Sequence, residues 1–218
     1  MNLSEKRIKE SLKLYFVMGS VNCLKDPATV LQEAIAGGIT LFQFREKGNG
    51  AKTGYEKISL AKKLQAICKQ HDIPFIVNDD IDLALQIDAD GVHIGQEDED
   101  PLKVRKKIGS KILGISAHNL EEAQKAIEHG ADYLGVGPMY FTSTKTDIRE
   151  VKGPEVIKII RMNDIQIPIV GIGGIKQNLA RNVIKAGADG VAIISAISQS
   201  PDPKLAAKQL LNEVEMAF

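Results

Sequence analysis

Tryptophan is absent from the 218-residue chain, and Phe and Tyr bring the aromatic share to only 5%. Few rings remain for stacking along a single nucleic-acid strand. Cysteine is almost missing as well: Cys23 and Cys68 stand alone, which excludes a disulfide framework and a cysteine-rich zinc site and suits a reducing cytoplasm. Neither sign of charge is in excess, because 28 Lys plus Arg meet 28 Asp plus Glu. No global field therefore draws the chain to nucleic acid or to an anionic membrane. No apolar run approaches a membrane span. Residues 1–13 are charged, with a helical pattern and no apolar signal core. No Pro/Ser-rich linker, low-complexity tract or shift of composition divides the chain, so residues 1–218 read as one domain.

What the sequence does hold is alternation. Short apolar runs at 14–18, 40–44, 74–77, 91–94, 112–115, 133–136, 168–171 and 191–194 are rich in Val, Ile, Leu and Phe, the composition of buried parallel strands. Between them, 28–36, 55–69, 120–128 and 176–186 carry apolar residues at helical spacing. Asp26-Pro27 and Asn119 are suited to helix starts. An Ala-Asp step recurs at 89–90, 131–132 and 188–189, each time leading from a helix into a strand. A short N-terminal helix followed by eight such units most economically forms a single (β/α)8 TIM barrel. An open doubly wound sheet is the competitor, but no GxGxxG follows the first strand.

Polar residues gather after the strands, at the end where barrels build their sites. Gly173-Gly174 after strand seven and Ser195 after strand eight occupy the usual phosphate position, where backbone amides approach an anion closely. Asp79 and Asp98 follow adjacent strands, and two such carboxylates suit Mg²⁺, which fills its octahedron with water and phosphate oxygens. Asp80, Glu97, Glu99 and Asp100 read as capping or solvated neighbours. Arg45 and Lys47 alternate with Phe44 and Glu46 beyond a buried strand, and Lys145 lies in a Thr-Ser-Thr-Lys loop. Three cations beside a divalent metal suit a departing diphosphate better than a single phosphate ester. No nucleophile–base pair stands out: the cysteines lack a His partner, Ser116 and His118 form no defined pair, and His93 sits inside a strand as a packed residue.

Together these runs resemble the thiamine-phosphate synthase (thiamine-phosphate pyrophosphorylase) family. The resemblance is carried by Gln43-Phe44-Arg45-Glu46-Lys47, Asn78-Asp79, Gly95-Gln96 with Asp98, Gly114-Ile115-Ser116, Gly137-Pro138 with Thr142-Ser143-Thr144-Lys145, and Ile172-Gly173-Gly174. It implies a transferase that joins an aminopyrimidine methyl diphosphate to a thiazole phosphate, releasing diphosphate. It also implies that Gln43, Arg45, Lys47, Asn78, Ser116 and Lys145 hold the pyrimidine diphosphate, with Phe44 and Glu46 carried in the same run. Arg45, Lys47, Ser116 and Lys145 are the catalytic candidates within that set. Asp79 and Asp98 would bind Mg²⁺, while Thr142, Ser143, Thr144, Gly174, Ile194 and Ser195 would hold the thiazole phosphate. Two positions depart from the family pattern: Gly19-Ser20 follows strand one where an Asp often stands, and Phe141 replaces a Pro before Thr142.

Two other classes compete. An isomerase resembling the thiazole tautomerases would use the phosphate loop with His118 as proton carrier, and a non-catalytic sensor would bind thiamine phosphate without converting it. The joint presence of Asp79, Asp98, Arg45, Lys47 and Lys145 favours leaving-group chemistry over both. The expected partners are small-molecule substrates, with no nucleic acid and no membrane. A homodimer is compatible with the sequence, although no surface stripe demands one.

Overall fold

The computed structural model describes residues 5–142 and 151–218. Eight parallel strands close into a barrel in chain order: β1 (Leu14–Met18), β2 (Leu41–Phe44), β3 (Phe75–Asn78), β4 (Gly91–Ile94), β5 (Ile112–Ala117), β6 (Tyr133–Val136), β7 (Ile169–Ile172) and β8 (Gly190–Ile193). Closure is made by β1, which pairs with β2 on one side and β8 on the other. The (β/α)8 barrel expected from the alternating runs is the fold the chain adopts.

Helices α1 (Glu5–Leu12), α2 (Pro27–Ala36), α3 (Gly54–Gln70), α4 (Ile81–Gln86), α5 (Pro101–Ile108), α6 (Leu120–Glu128), α7 (Glu155–Met162), α8 (Ala180–Lys185), α9 (Ser195–Ser198) and α10 (Pro203–Glu215) surround the sheet. None among the described residues is long and apolar enough to cross a membrane. The expected helix starts are real: Asp26 accepts from the Ala28 and Thr29 amides, and Asn119 accepts from Glu122 N–H at 2.9 Å. Helix α8 is shorter than its 176–186 pattern, because Asn178 at φ +70° lies in the left-handed region and interrupts the first turn. Strands β3 and β7 begin one residue after Pro74 and Pro168, which have no N–H to give to the ladder.

Strand pleating divides the core into two layers. Leu14, Phe16, Met18, Phe42, Phe44, Phe75 and Val77 point outward and pack under the helices, together with Leu31, Leu64 and Val183. Tyr15, Val17, Leu41, Ile76, Ile112, Tyr133, Val170 and Ala192 point inward and fill the barrel. Ile8 and Leu12 of α1 join this inner cluster, so α1 plugs the end where the strands begin.

At that end, one device recurs on the odd-numbered strands. The Leu14 amide donates to Thr40 Oγ1 at 2.9 Å, Phe75 to Asp90 Oδ2 at 2.8 Å, Leu113 to Asp132 Oδ2 at 2.8 Å and Ile169 to Asp189 Oδ2 at 2.8 Å. Each acceptor stands just before the following even strand, so it ties the start of one strand to the next. The recurrent Ala-Asp step therefore serves the scaffold. Two arginines reinforce it: Arg105 reaches Asp132 at 2.6 Å and Arg161 reaches Asp189 at 2.7 Å. Arg161 also donates to the carbonyls of Ile165, Ile167 and Gly187, knitting three segments together.

Candidate active site

At the opposite end a cavity of about 930 Å³ opens among the loops that follow the strands. Among the expected site residues, Lys47, Asp98, Ser116, Thr142, Gly174, Ile194 and Ser195 line it. These come from β2, β4, β5, β6, β7 and β8, as an active face built from the strand ends requires. Ser143, Thr144 and Lys145 lie outside the described residues.

The two aspartates converge. Asp79 follows β3 at φ +61°, a left-handed conformation that Asp tolerates better than most residues and that marks a locally strained turn. Its amide donates to the His93 carbonyl at 2.9 Å, which pins the bend against β4. Its carboxylate meets Lys47 Nζ at 2.7 Å and lies close enough to Asp98 to act on its ionisation. Asp98 in turn accepts from the Gly95 amide at 2.6 Å. Burial first, and then the neighbouring Asp79, push the Asp98 carboxyl above its ordinary range, while the Gly95 amide works the other way. The hydrogen bond to Asp79 raises Lys47 above the usual lysine value, with the Arg45 charge opposing it. Lys47 lines the cavity, whereas Arg45, two residues before it, acts on Lys47 only through its charge and is not among the lining residues.

Two acidic groups this close repel unless something positive lies between them, and Lys47 alone supplies only part of that charge. Among the described residues no cluster of three or more His, Cys, Asp or Glu side chains is suited to a metal. A pair of carboxylates completed by water and phosphate oxygens is, however, the donor set Mg²⁺ prefers. The residues present fit that ion and do not fit zinc.

The loops after β6, β7 and β8 form the other half of the cavity. Gly173 and Gly174 have φ of +101° and +65°, and a Cβ on Gly174 would fall 2.5 Å from the Phe141 carbonyl oxygen. Only glycine lets the two loops touch backbone to backbone. The Met139 and Tyr140 amides donate to Ile172 and Gly173 at 2.9 Å each, which seats Thr142 beside the glycines. After the neighbouring strand β8, α9 begins at Ser195 with Ile194 as its preceding cap residue. The first amides of a helix have no intrahelical partner, so Ser195 and Ala196 can offer theirs to an oxyanion.

Several expected contacts are placed differently. Ser116 lies inside β5 rather than after it, and Asn78 is the last residue of β3. Phe44 is buried in the outer layer, facing helices rather than the mouth, as its alternation with Gln43 requires. Glu46 has both carboxylate oxygens engaged: it accepts from Ser20 N–H at 2.7 Å, from Ser20 Oγ and from the Lys52 amide at 2.7 Å. This clamp makes the bond at the mouth of β1 without the Asp that the family pattern often carries there. Gln43 is 3% exposed and donates to Tyr15 Oη, below the cavity floor. His118 lines the cavity, with its Nδ1 held 2.7 Å from Glu122 Oε2 at the start of α6. Asp80 and Asp100 cap α4 and α5, and Glu99 pairs with Lys107, in keeping with their reading as caps and solvated neighbours.

His93 is the packed strand residue the sequence suggested, but sequence reasoning missed that its Nε2 lies 3.0 Å from Ser116 Oγ and that Gln96 donates to the Ser116 carbonyl at 2.6 Å. Period-two alternation places His93 and Ser116 on the inner face of neighbouring strands, and that signal could have paired them.

The model of the family described as thiamine monophosphate synthase matches residues 14–197. A thiamine-phosphate synthase of Geobacillus kaustophilus is 56% identical over 217 residues, covering 100% of this chain and 98% of its own. One of Bacillus cereus strain 03BB102 is 57% identical over 216 residues, with 99% of both chains covered. Among solved structures, the thiamine phosphate pyrophosphorylase from Pyrococcus furiosus superposes with a TM-score of 0.86 at 36% identity, covering 97% of this chain and 99% of that one. A structure titled native KDPGal, at 17% identity and a TM-score of 0.71, shares the fold. With its family model spanning β1 to α9 and relatives matched from end to end, the chain belongs to the thiamine monophosphate synthase family, and it is a transferase of thiamine biosynthesis.

Proposed function

We propose that this transferase condenses 4-amino-2-methyl-5-(diphosphooxymethyl)pyrimidine with 4-methyl-5-(2-phosphooxyethyl)thiazole to give thiamine phosphate and diphosphate. The observation that carries this reading is that Lys47, paired with Asp79, and Asp98 line one side of a cavity whose other side is a glycine-rich loop with free amides. Two differently charged ends suit two phosphorylated substrates bound together. Mg²⁺ held by Asp79 and Asp98 would supply countercharge to the diphosphate.

Arg45 and Lys47, with Lys145 from the β6 loop, neutralise the diphosphate as the carbon–oxygen bond breaks and negative charge collects on the leaving group. The pyrimidine methylene is left as a ring-stabilised carbocation, oriented by Asn78 and Ser116 above Gln43. The thiazole nitrogen then donates its lone pair to that carbon, forming the new bond. Thr142, Ser143 and Thr144 with the amides at Gly174, Ile194 and Ser195 hold the thiazole phosphate, which fixes the distance between the reacting atoms. No general base is needed, because the attacking nitrogen carries no proton to lose. The engagement of His118 with Glu122 agrees with that economy.

Incubation of the full chain with both substrates and Mg²⁺ tests the reading. Thiamine phosphate and diphosphate should appear in equal amounts. Release of diphosphate without thiamine phosphate, or neither product, rejects it.

A further inference from the structure

A polar chain runs through the otherwise apolar barrel interior. Gln43 Nε2 donates to Tyr15 Oη at 2.6 Å, the Tyr15 and Tyr133 hydroxyls lie 2.8 Å apart, Tyr133 Oη is 2.9 Å from His93 Nδ1, and His93 Nε2 is 3.0 Å from Ser116 Oγ. The five side chains come from β2, β1, β6, β4 and β5. Gln43, Tyr15, Tyr133 and His93 are all buried, while Ser116 reaches the cavity.

Two glycines make the space. A Cβ on Gly114 would fall 2.1 Å from Tyr133 Cζ and 2.5 Å from His93 Nδ1, and one on Gly135 would fall 2.8 Å from His93 Cε1. Glycine within a strand weakens it, and its presence marks a place where another group must come close. Here both glycines serve the same His–Tyr pair. Burial pushes both phenols well above their ordinary range, so each keeps its single proton at neutral pH.

A hydroxyl has one proton, so a chain of hydroxyls has a direction. The Gln43 amide donates to Tyr15, which turns the Tyr15 proton towards Tyr133 and the Tyr133 proton towards His93 Nδ1. We propose that this chain is a positioning device: it holds His93 as the Nε2–H tautomer, which donates to Ser116 Oγ and leaves the Ser116 hydroxyl proton directed into the cavity. His93 is a positioning residue, acting on the substrate through Ser116. The opposite amide orientation would reverse every bond, so that Ser116 would donate to His93 Nε2 and present only its lone pairs to the cavity; the direction therefore decides what Ser116 can offer.

Nitrogen-15 NMR of the labelled full chain reads the tautomer without any substrate. The His93 ring should show a protonated, pyrrole-like Nε2 and a pyridine-like Nδ1, and Tyr133→Phe should lose that single-tautomer signature. A proton on Nδ1, or on both nitrogens, at neutral pH in the unsubstituted protein overturns the proposal.

A kinetic cycle tests the coupling and rests on the synthase reaction proposed above. His93→Leu should lower kcat about tenfold, the worth of one neutral hydrogen bond, with KM little changed. His93→Gln, which keeps an N–H near the Nε2 position, should recover most of that loss. His93→Leu combined with Ser116→Ala should be no slower than Ser116→Ala alone. Independent, multiplying penalties would show that His93 is merely packed and would overturn the proposal. Complete lack of thiamine phosphate formation would count against the synthase reading alone, leaving the tautomer result to decide the positioning device.

Discussion

Asp98 has opposite consequences for stability and for turnover. The folded protein holds its proton more tightly than the unfolded chain does, through burial and the nearby Asp79. Ionising it therefore costs stability: the penalty is absent below the ordinary carboxylate range and complete once pH passes the raised folded value. Asp98→Asn keeps an oxygen for the Gly95 amide but removes the like charge beside Asp79. We expect it to raise the melting temperature of the metal-free protein at neutral pH, with the gain vanishing in acid, while kcat falls by about a hundredfold or more. Calorimetric melts at two pH values and an initial-rate assay check both halves. A variant that is no more stable at neutral pH, or that turns over normally, contradicts the assignment. Such trade-offs are ordinary at sites that gather like charges for a ligand. At this scale the sequence was only partly legible. Asp79 and Asp98 could be paired because they lie in the loops that follow two adjacent strands, β3 and β4. The role of Glu46 could not be read, because its partners Ser20 and Lys52 lie on loops whose path depends on barrel closure.

Elements were more legible than their ends. Each apolar run became a strand, since burial on both faces leaves a strong compositional signal. The boundaries moved where single residues intervene: Pro74 and Pro168 delay β3 and β7, and Asn178 delays α8. The shift of Ser116 into β5 matters most, because it turns a presumed loop residue into an inward-facing one beside His93. The Ala-Asp repeat was visible as a pattern, but its purpose needed the neighbouring strand, whose first amide the aspartate accepts. Asp189 shows this most fully, holding the Ile169 amide and Arg161 together. Asp189→Ala should cost about 2 kcal/mol of unfolding free energy, the usual worth of hydrogen bonds to a charged group. Since it acts at the end remote from the cavity, kcat should be unchanged. Urea melts with parallel rate measurements test the separation, and a fall in kcat at unchanged stability would contradict it.

For the whole molecule, two ends of one barrel divide the labour. The end where strands begin carries the carboxylate and threonine ties, the two arginines and the α1 plug. The other end gathers charged and glycine-rich loops around the cavity. Topology was readable because eight parallel units in a chain of this length have few other ways to cover both faces of their strands. The polar chain through the interior was not, since its members are far apart in sequence and only closure brings them together: Tyr15 and Tyr133 meet across 118 positions. Glycines at 114 and 135 were the trace it left within β5 and β6. A crystal structure of the chain with Mg²⁺ and diphosphate would test the divided cavity most directly. The ion should lie about 2.1 Å from carboxylate oxygens of Asp79 and Asp98, with the diphosphate between it and Arg45 and Lys47. An ion bound away from both aspartates, or a diphosphate seated outside the cavity, would contradict this assignment.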